Sequence, residues 1–167
     1  MSFTAKRDGN SRCSALPIFI NMKIEEEIKQ NKFKTPLQKA LLNLIYTANW
    51  LQSKQQDFFK PHGITATQFN ILRILKGQHP NSISATEIKS RMLDRNSDVS
   101  RLLDRLAQKN LINKSTCPND RRAADVTITQ AGLALLEKIG YTVDDNVITL
   151  NEQDATHLSD LLDKCRG

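Results

Sequence analysis

The sequence predicts a mainly α fold with one β hairpin set late in the chain. Three observations carry that prediction. Helix starts of the Ser/Thr-x-x-Glu/Gln type recur along the chain. A strand-like run from Leu111 to Cys117 is followed by Ala124, Val126 and Ile128 alternating with Asp125 and Thr127, which is the period of a half-buried strand. Finally, apolar residues make up 39% of the chain and aromatics only 5%, so the core must be mostly aliphatic. At 167 residues the chain has the length of one domain and is long enough to bury such a core.

Taken in order, residues 1–21 are rich in Ser, Arg, Asn and Gly and lack periodicity, and a second methionine, Met22, follows them. They read as a disordered tail or as a start placed too early, and 22–167 as a single domain. Thr35-Pro36-Leu37-Gln38 supplies a capping threonine, a proline at the first helical position and Gln three residues after the cap, opening a helix over about 36–60. Pro61 and Gly63 end it. Thr65-Ala66-Thr67-Gln68, stapled by Ile64 and Phe69, opens a helix at about 66–76. Ser84-Ala85-Thr86-Glu87, stapled by Ile83 and Ile88, opens one at about 85–93. Asn96 is the expected cap of a helix at 97–110. Strands at 111–117 and 123–128 follow, then helices at about 130–146, capped by Thr129, and 152–165, capped by Asn151.

Several functions are disfavoured. No apolar run approaches the ~20 residues a membrane helix needs, and Ala15–Ile20 is short and contains Pro17, so the expected location is the cytoplasm. Cys13, Cys117 and Cys165 are scattered, without CxxC or a neighbouring histidine, and read as free thiols. His62, His79 and His157 are isolated, and no nucleophile motif or Gly-rich phosphate loop is present. Neither catalysis nor a cofactor or metal is expected. The net charge of +6 and pI near 9.3 suit a polyanionic partner.

The informative stretch is Ser84–Ile128, where two short helices, a short turn and a hairpin follow one another. That order is the winged helix-turn-helix. In its second helix Val99, Leu102, Leu103 and Leu106 form one apolar stripe, while Ser97, Ser100, Arg101, Asp104, Arg105 and Gln108 lie opposite. Small hydroxyl residues at the helix start permit close entry into a major groove, and an arginine one turn on can grip guanine O6 and N7. A solvated polar face would look the same by itself; the following segment separates the two readings. Pro118-Asn119-Asp120-Arg121-Arg122 puts two arginines at a hairpin tip, where a narrow minor groove would attract them, with Asp120 placed to hold one guanidinium.

Ser100-Arg101-Leu102-Leu103-Asp104-Arg105-Leu106, Asn119-Asp120-Arg121-Arg122 and Val126-Thr127-Ile128-Thr129-Gln130-Ala131-Gly132 together resemble the MarR family of bacterial regulators, from about Pro36 onward. The resemblance implies a dimer binding a palindromic operator, usually as a repressor. It places Ser100 and Arg101 on bases, Arg122 in the minor groove with Arg121 near the backbone, and Asp104 and Arg105 bracing helix and wing or touching phosphate. The candidate DNA contacts are therefore Ser97, Asp98, Ser100, Arg101, Arg105, Arg121 and Arg122, with Asp104 and Asp120 as bracing residues. Peroxide-sensing members carry a cysteine near the start of the first long helix, and this chain has none between Pro36 and Phe59.

Leu37, Leu41, Leu44, Ala48 and Leu51 form one seam on the helix from Pro36, and Leu42, Tyr46 and Trp50 a second apolar side. Leu158, Leu161, Leu162 and Cys165 form a stripe on the last helix. Excess apolar surface on 36–60 and 130–167 points to dimerisation helices flanking a DNA-binding part at 64–128. Tyr46, Trp50, Phe58, Phe59 and Phe69 are candidates for a cleft holding a small aromatic or anionic effector, although core packing is the stronger reading for each of them. The competing reading is a winged-helix module that binds protein rather than DNA.

Overall fold

The computed structural model describes residues 23–117, 120–140 and 148–167, with 116, 117 and 120–124 described as backbone only. The expected N-terminal tail lies outside the described residues. The elements are α1 (Ile24–Glu27), α2 (Pro36–Phe59), a 3-10 turn (Lys60–His62), α3 (Ala66–Lys76), β1 (Ile83–Ser84), α4 (Ala85–Arg91), α5 (Val99–Gln108), β2 (Ile112–Cys117), β3 (Asp120–Ile128), α6 (Gln130–Ile139) and α7 (Glu152–Arg166). Two compact units are formed, Met1–Ile45 and Tyr46–Gly167.

In the first unit Thr35 Oγ1 accepts the Gln38 N–H at 3.1 Å, as its sequence predicts. The Gln38 side chain reaches back one residue further than a capping box requires and accepts the Lys34 N–H at 2.7 Å. The short helix α1 was not expected. It is tied to α2 by an ion pair between Glu25 and Lys39, and that hydrogen bond holds the Glu25 carboxyl below the usual carboxylate range.

In the second unit α3 packs against α4, α6 and β3, and the core is aliphatic as composition demands: Ile71, Leu72, Ile88, Leu106 and Val126 are fully buried. Phe59 and Phe69 are both buried, with ring centroids 4.8 Å apart. The Thr65 capping box is complete, since Thr65 Oγ1 accepts the Gln68 N–H and Gln68 Oε1 accepts the Thr65 N–H, both at 3.2 Å. Ser84 caps α4 by accepting the Glu87 N–H at 3.1 Å, while the Glu87 carboxylate pairs forward with Arg91.

Four expectations need correction. The sheet has three strands in the order β1-β3-β2, because Ile83 and Ser84 pair antiparallel with Val126 and Asp125. Two residues are too few to show a strand period, and their partners lie some forty residues away. The cap of α5 is Asp98, not Asn96: its Oδ1 accepts the Arg101 N–H at 3.2 Å, whereas Asn96 sits too early to reach that amide. The connection between α4 and α5 therefore runs from Met92 to Asp98, longer than the short turn expected. Lastly, α6 stops at Ile139 rather than near 146, since Gly140 takes φ 71° and ψ 176°, an extended positive-φ conformation open to glycine that leaves the helical path.

Candidate nucleic-acid interface

The polar face of α5 is built from its cap outward. Asp98 accepts the Arg101 N–H through Oδ1 and pairs with Arg101 Nε through Oδ2 at 3.1 Å. The Arg101 side chain is nonetheless 81% exposed, and the pair engages Nε rather than its two terminal amino groups. Ser100, Asp104 and Arg105 are exposed on the same helix, while Val99, Leu103 and Leu106 are buried beneath it. An α-helical period thus anchors one side of α5 in the core and presents the other to solvent.

The segment preceding α5 is held by Asp94. Its Oδ1 accepts the Asn96 N–H at 3.0 Å and its Oδ2 accepts the Ser97 hydroxyl at 2.6 Å. These bonds, the Ser97 hydroxyl first, hold the Asp94 carboxyl below its ordinary range. The half-buried Ser97 therefore commits its proton inside the turn and offers only lone pairs outward. Asp94 was not a sequence candidate; an Asp two and three residues ahead of Asn and Ser is the signal that could have found it.

The hairpin is attached to α5 at two points. Asp104 Oδ1 lies 2.5 Å from Lys114 Nζ, joining the helix to β2. At the hairpin base Thr129 donates its N–H to the Leu111 carbonyl at 3.1 Å and its hydroxyl to the Asn110 carbonyl at 2.8 Å, while capping α6 by accepting the Gly132 N–H at 3.1 Å. One threonine thus joins the end of α5, the exit of β3 and the start of α6. Lys114 was missed as a partner of Asp104 because nothing local relates the two residues. Asp120, Arg121 and Arg122 lie at the start of β3, opposite the end of β2, with Asp120 paired to Cys117; their side chains lie outside the described residues.

Thr67 joins Ser97, Asp98, Arg101, Leu102 and Arg105 around a shallow depression of about 180 Å³ beside α5. Of the aromatic candidates for an effector cleft, Phe59 and Phe69 line a space of about 200 Å³ with Arg73 and Leu93, but both rings belong to the core; Trp50 is exposed on α2. Cys165 is an exposed free thiol. Among the described residues no cluster of three His, Cys, Asp or Glu side chains could hold a metal ion, and no helix is long and apolar enough to cross a membrane.

The family model that matches this chain is that of the MarR family, over residues 64–124, from just before α3 into β3. Solved structures of the same type superpose on it. A MarR transcription factor from Planctomyces limnophilus is 29% identical with a TM-score of 0.59, covering 81% of this chain and 96% of its own. A mutant of MarR from Escherichia coli, complexed with operator DNA, is 27% identical with a TM-score of 0.63, covering 75% and 93%. The segment 64–124 is of the MarR family. With that segment the chain is a DNA-binding transcription regulator of winged helix-turn-helix architecture. Among curated MarR-type relatives, the transcriptional regulator MhqR of Bacillus subtilis is 28% identical over 107 residues, which are 60% of this chain and 71% of MhqR. The transcriptional repressor MdtR of the same organism is 34% identical over 89 residues, 53% and 56% of the two chains.

Proposed function

We propose that this MarR-family chain binds a palindromic operator as a homodimer and represses transcription, with the start of α5 in the major groove and the hairpin in the adjacent minor groove. The observation that carries this reading is the division of α5 into a buried aliphatic face and an exposed face bearing Ser100, Arg101 and Arg105. Ser100 and Arg101 meet the base edges, Ser97 and Asp98 lie at the DNA beside them, Arg105 meets a phosphate, and Arg122 enters the minor groove with Arg121 near the backbone, while Asp104 and Asp120 brace helix and hairpin. The Asp98–Arg101 pair uses Nε, which leaves both terminal amino groups of Arg101 for the O6 and N7 acceptors of guanine.

Dimerisation is supported by large apolar residues exposed among the described residues. Leu37 is 80% exposed and Leu41 57% on α2, and Leu158 and Leu161 are exposed on α7. Such surface on a soluble chain marks an interface. Residues 36–60 and 130–167 supply the dimer helices in this reading, and 64–128 the DNA-binding part. A two-fold dimer sets its recognition helices one DNA turn apart, about 34 Å. The chain acts by binding, without catalysis, in the cytoplasm, and a small aromatic or anionic effector releases it.

The deciding experiment is fluorescence anisotropy on the promoter DNA flanking its own gene, titrated with salt and with unrelated competitor DNA. Tight binding that weakens steeply with salt and survives competitor is expected. Loss of all binding to competitor would favour a winged-helix module whose partner is a protein. Arg101→Ala is expected to cost about 1–3 kcal/mol and to relax base preference at one position of each half-site; a uniform loss over unrelated sequences would make Arg101 a phosphate contact instead. Arg122→Ala is expected to weaken operator binding in gel shifts while sedimentation shows an intact dimer, and undiminished affinity would remove the hairpin from the interface.

A further inference from the structure

We propose that the cleft between the end of α2 and the far end of α5 holds a phosphate group of the DNA backbone, beyond the contacts of Arg101 and the hairpin; this rests on the DNA-binding reading above. The cleft has a volume of about 540 Å³, and Lys60, Arg105 and Lys109 line it against one carboxylate, Asp57. Among the described residues Lys60 and Arg105 have no ion-pair partner. Lys109 donates from Nζ to the Gly63 carbonyl, which fixes the ammonium at the rim and leaves its other two N–H groups to face a ligand.

Two features favour a phosphate on a duplex over a small free anion. All three cations are exposed, whereas a small-molecule site buries most of its ligand. In addition, Arg101, Arg105 and Lys109 follow one another at steps of four along α5 and its cap, a distance of about 12 Å along the helix axis. The major groove is about 12 Å wide. A helix whose start meets base edges therefore carries its other end to the backbone that bounds the groove, where Lys60 from the neighbouring turn adds a second cation.

The test compares the wild type with the Lys60→Gln/Lys109→Gln double variant by anisotropy on the same promoter duplex across a salt series. The expected result is weaker binding to every sequence with the specificity ratio kept. The slope of log K against log salt should become shallower by about 1 for each phosphate no longer neutralised. Lys109→Arg, which keeps the charge, should restore most of the slope. If the double variant melts below the wild type, Lys60→Gln alone is read, since among the described residues Lys60 takes part in no ion pair. An unchanged slope while the wild type binds tightly overturns the proposal and leaves the DNA-binding reading standing. Absence of specific binding by the wild type overturns both. Amide NMR with inorganic phosphate and no DNA separates the sources: shifts at Gly63 and Lys109 alongside an unchanged slope assign the cleft to a free anion and overturn the backbone contact.

Discussion

Leu103→Ala is expected to be a severely damaging truncation in the DNA-binding unit, lowering stability by about 2–5 kcal/mol. Leu103 is 1% exposed at the centre of the buried face of α5, in one core cluster with Leu72, Ile88, Leu106 and Val126. Truncation removes its transfer energy and leaves a cavity that neighbours on several elements cannot collapse into. Total stability of such a domain is only about 5–15 kcal/mol, so a large share of the margin is lost. Urea denaturation with an unchanged m-value checks it. DNA affinity should fall only through the folded fraction, because Leu103 lies opposite Arg101. A loss below about 1 kcal/mol would mean that α5 is not anchored through this residue.

Gly132→Ala is the second large effect, about 1–3 kcal/mol of destabilisation from overpacking, or more because backbone is involved. A Cβ on Gly132 would sit 2.4 Å from the Leu111 carbonyl oxygen and 2.7 Å from Ile128 Cγ1. Helix propensity alone would favour alanine here by about 1 kcal/mol, so steric approach and propensity predict opposite signs. The approach wins because the Leu111 carbonyl cannot retreat freely: it also accepts the Thr129 N–H. Thermal melting of the variant decides between them, and a raised melting temperature would show that α6 can shift outward without cost. The Thr129 bonds to Asn110 and Leu111 should loosen with it, freeing the hairpin base from the end of α5.

Local signals were the legible ones. Thr65, Ser84, Thr129 and Asn151 each accept the amide three residues on, as their positions before an apolar run predict. The buried stripe Val99, Leu103 and Leu106 follows from a 3.6-residue period, with Leu102 half-buried at its edge. The error at Asn96 was a contest between two Asx residues close together, decided by which oxygen reaches the Arg101 amide. The overlong α6 had an available signal in Gly140, a residue free to take the positive φ at which this helix ends.

By itself the sequence determined the main helices apart from α1, the caps at Thr65, Ser84, Thr129 and Asn151, the late hairpin, the aliphatic core and the polar face of α5, because each depends on residues within a turn or two of one another. Tertiary structure alone decided that Ile83 pairs with Val126, that Lys114 meets Asp104, that Lys109 reaches Gly63 and that Gly132 lies against Leu111. It also decided that Leu37, Leu41 and Leu44 of α2 and Leu158 and Leu161 of α7 are exposed. These contacts join residues far apart in sequence, and no period or cap encodes a partner that only chain packing brings near.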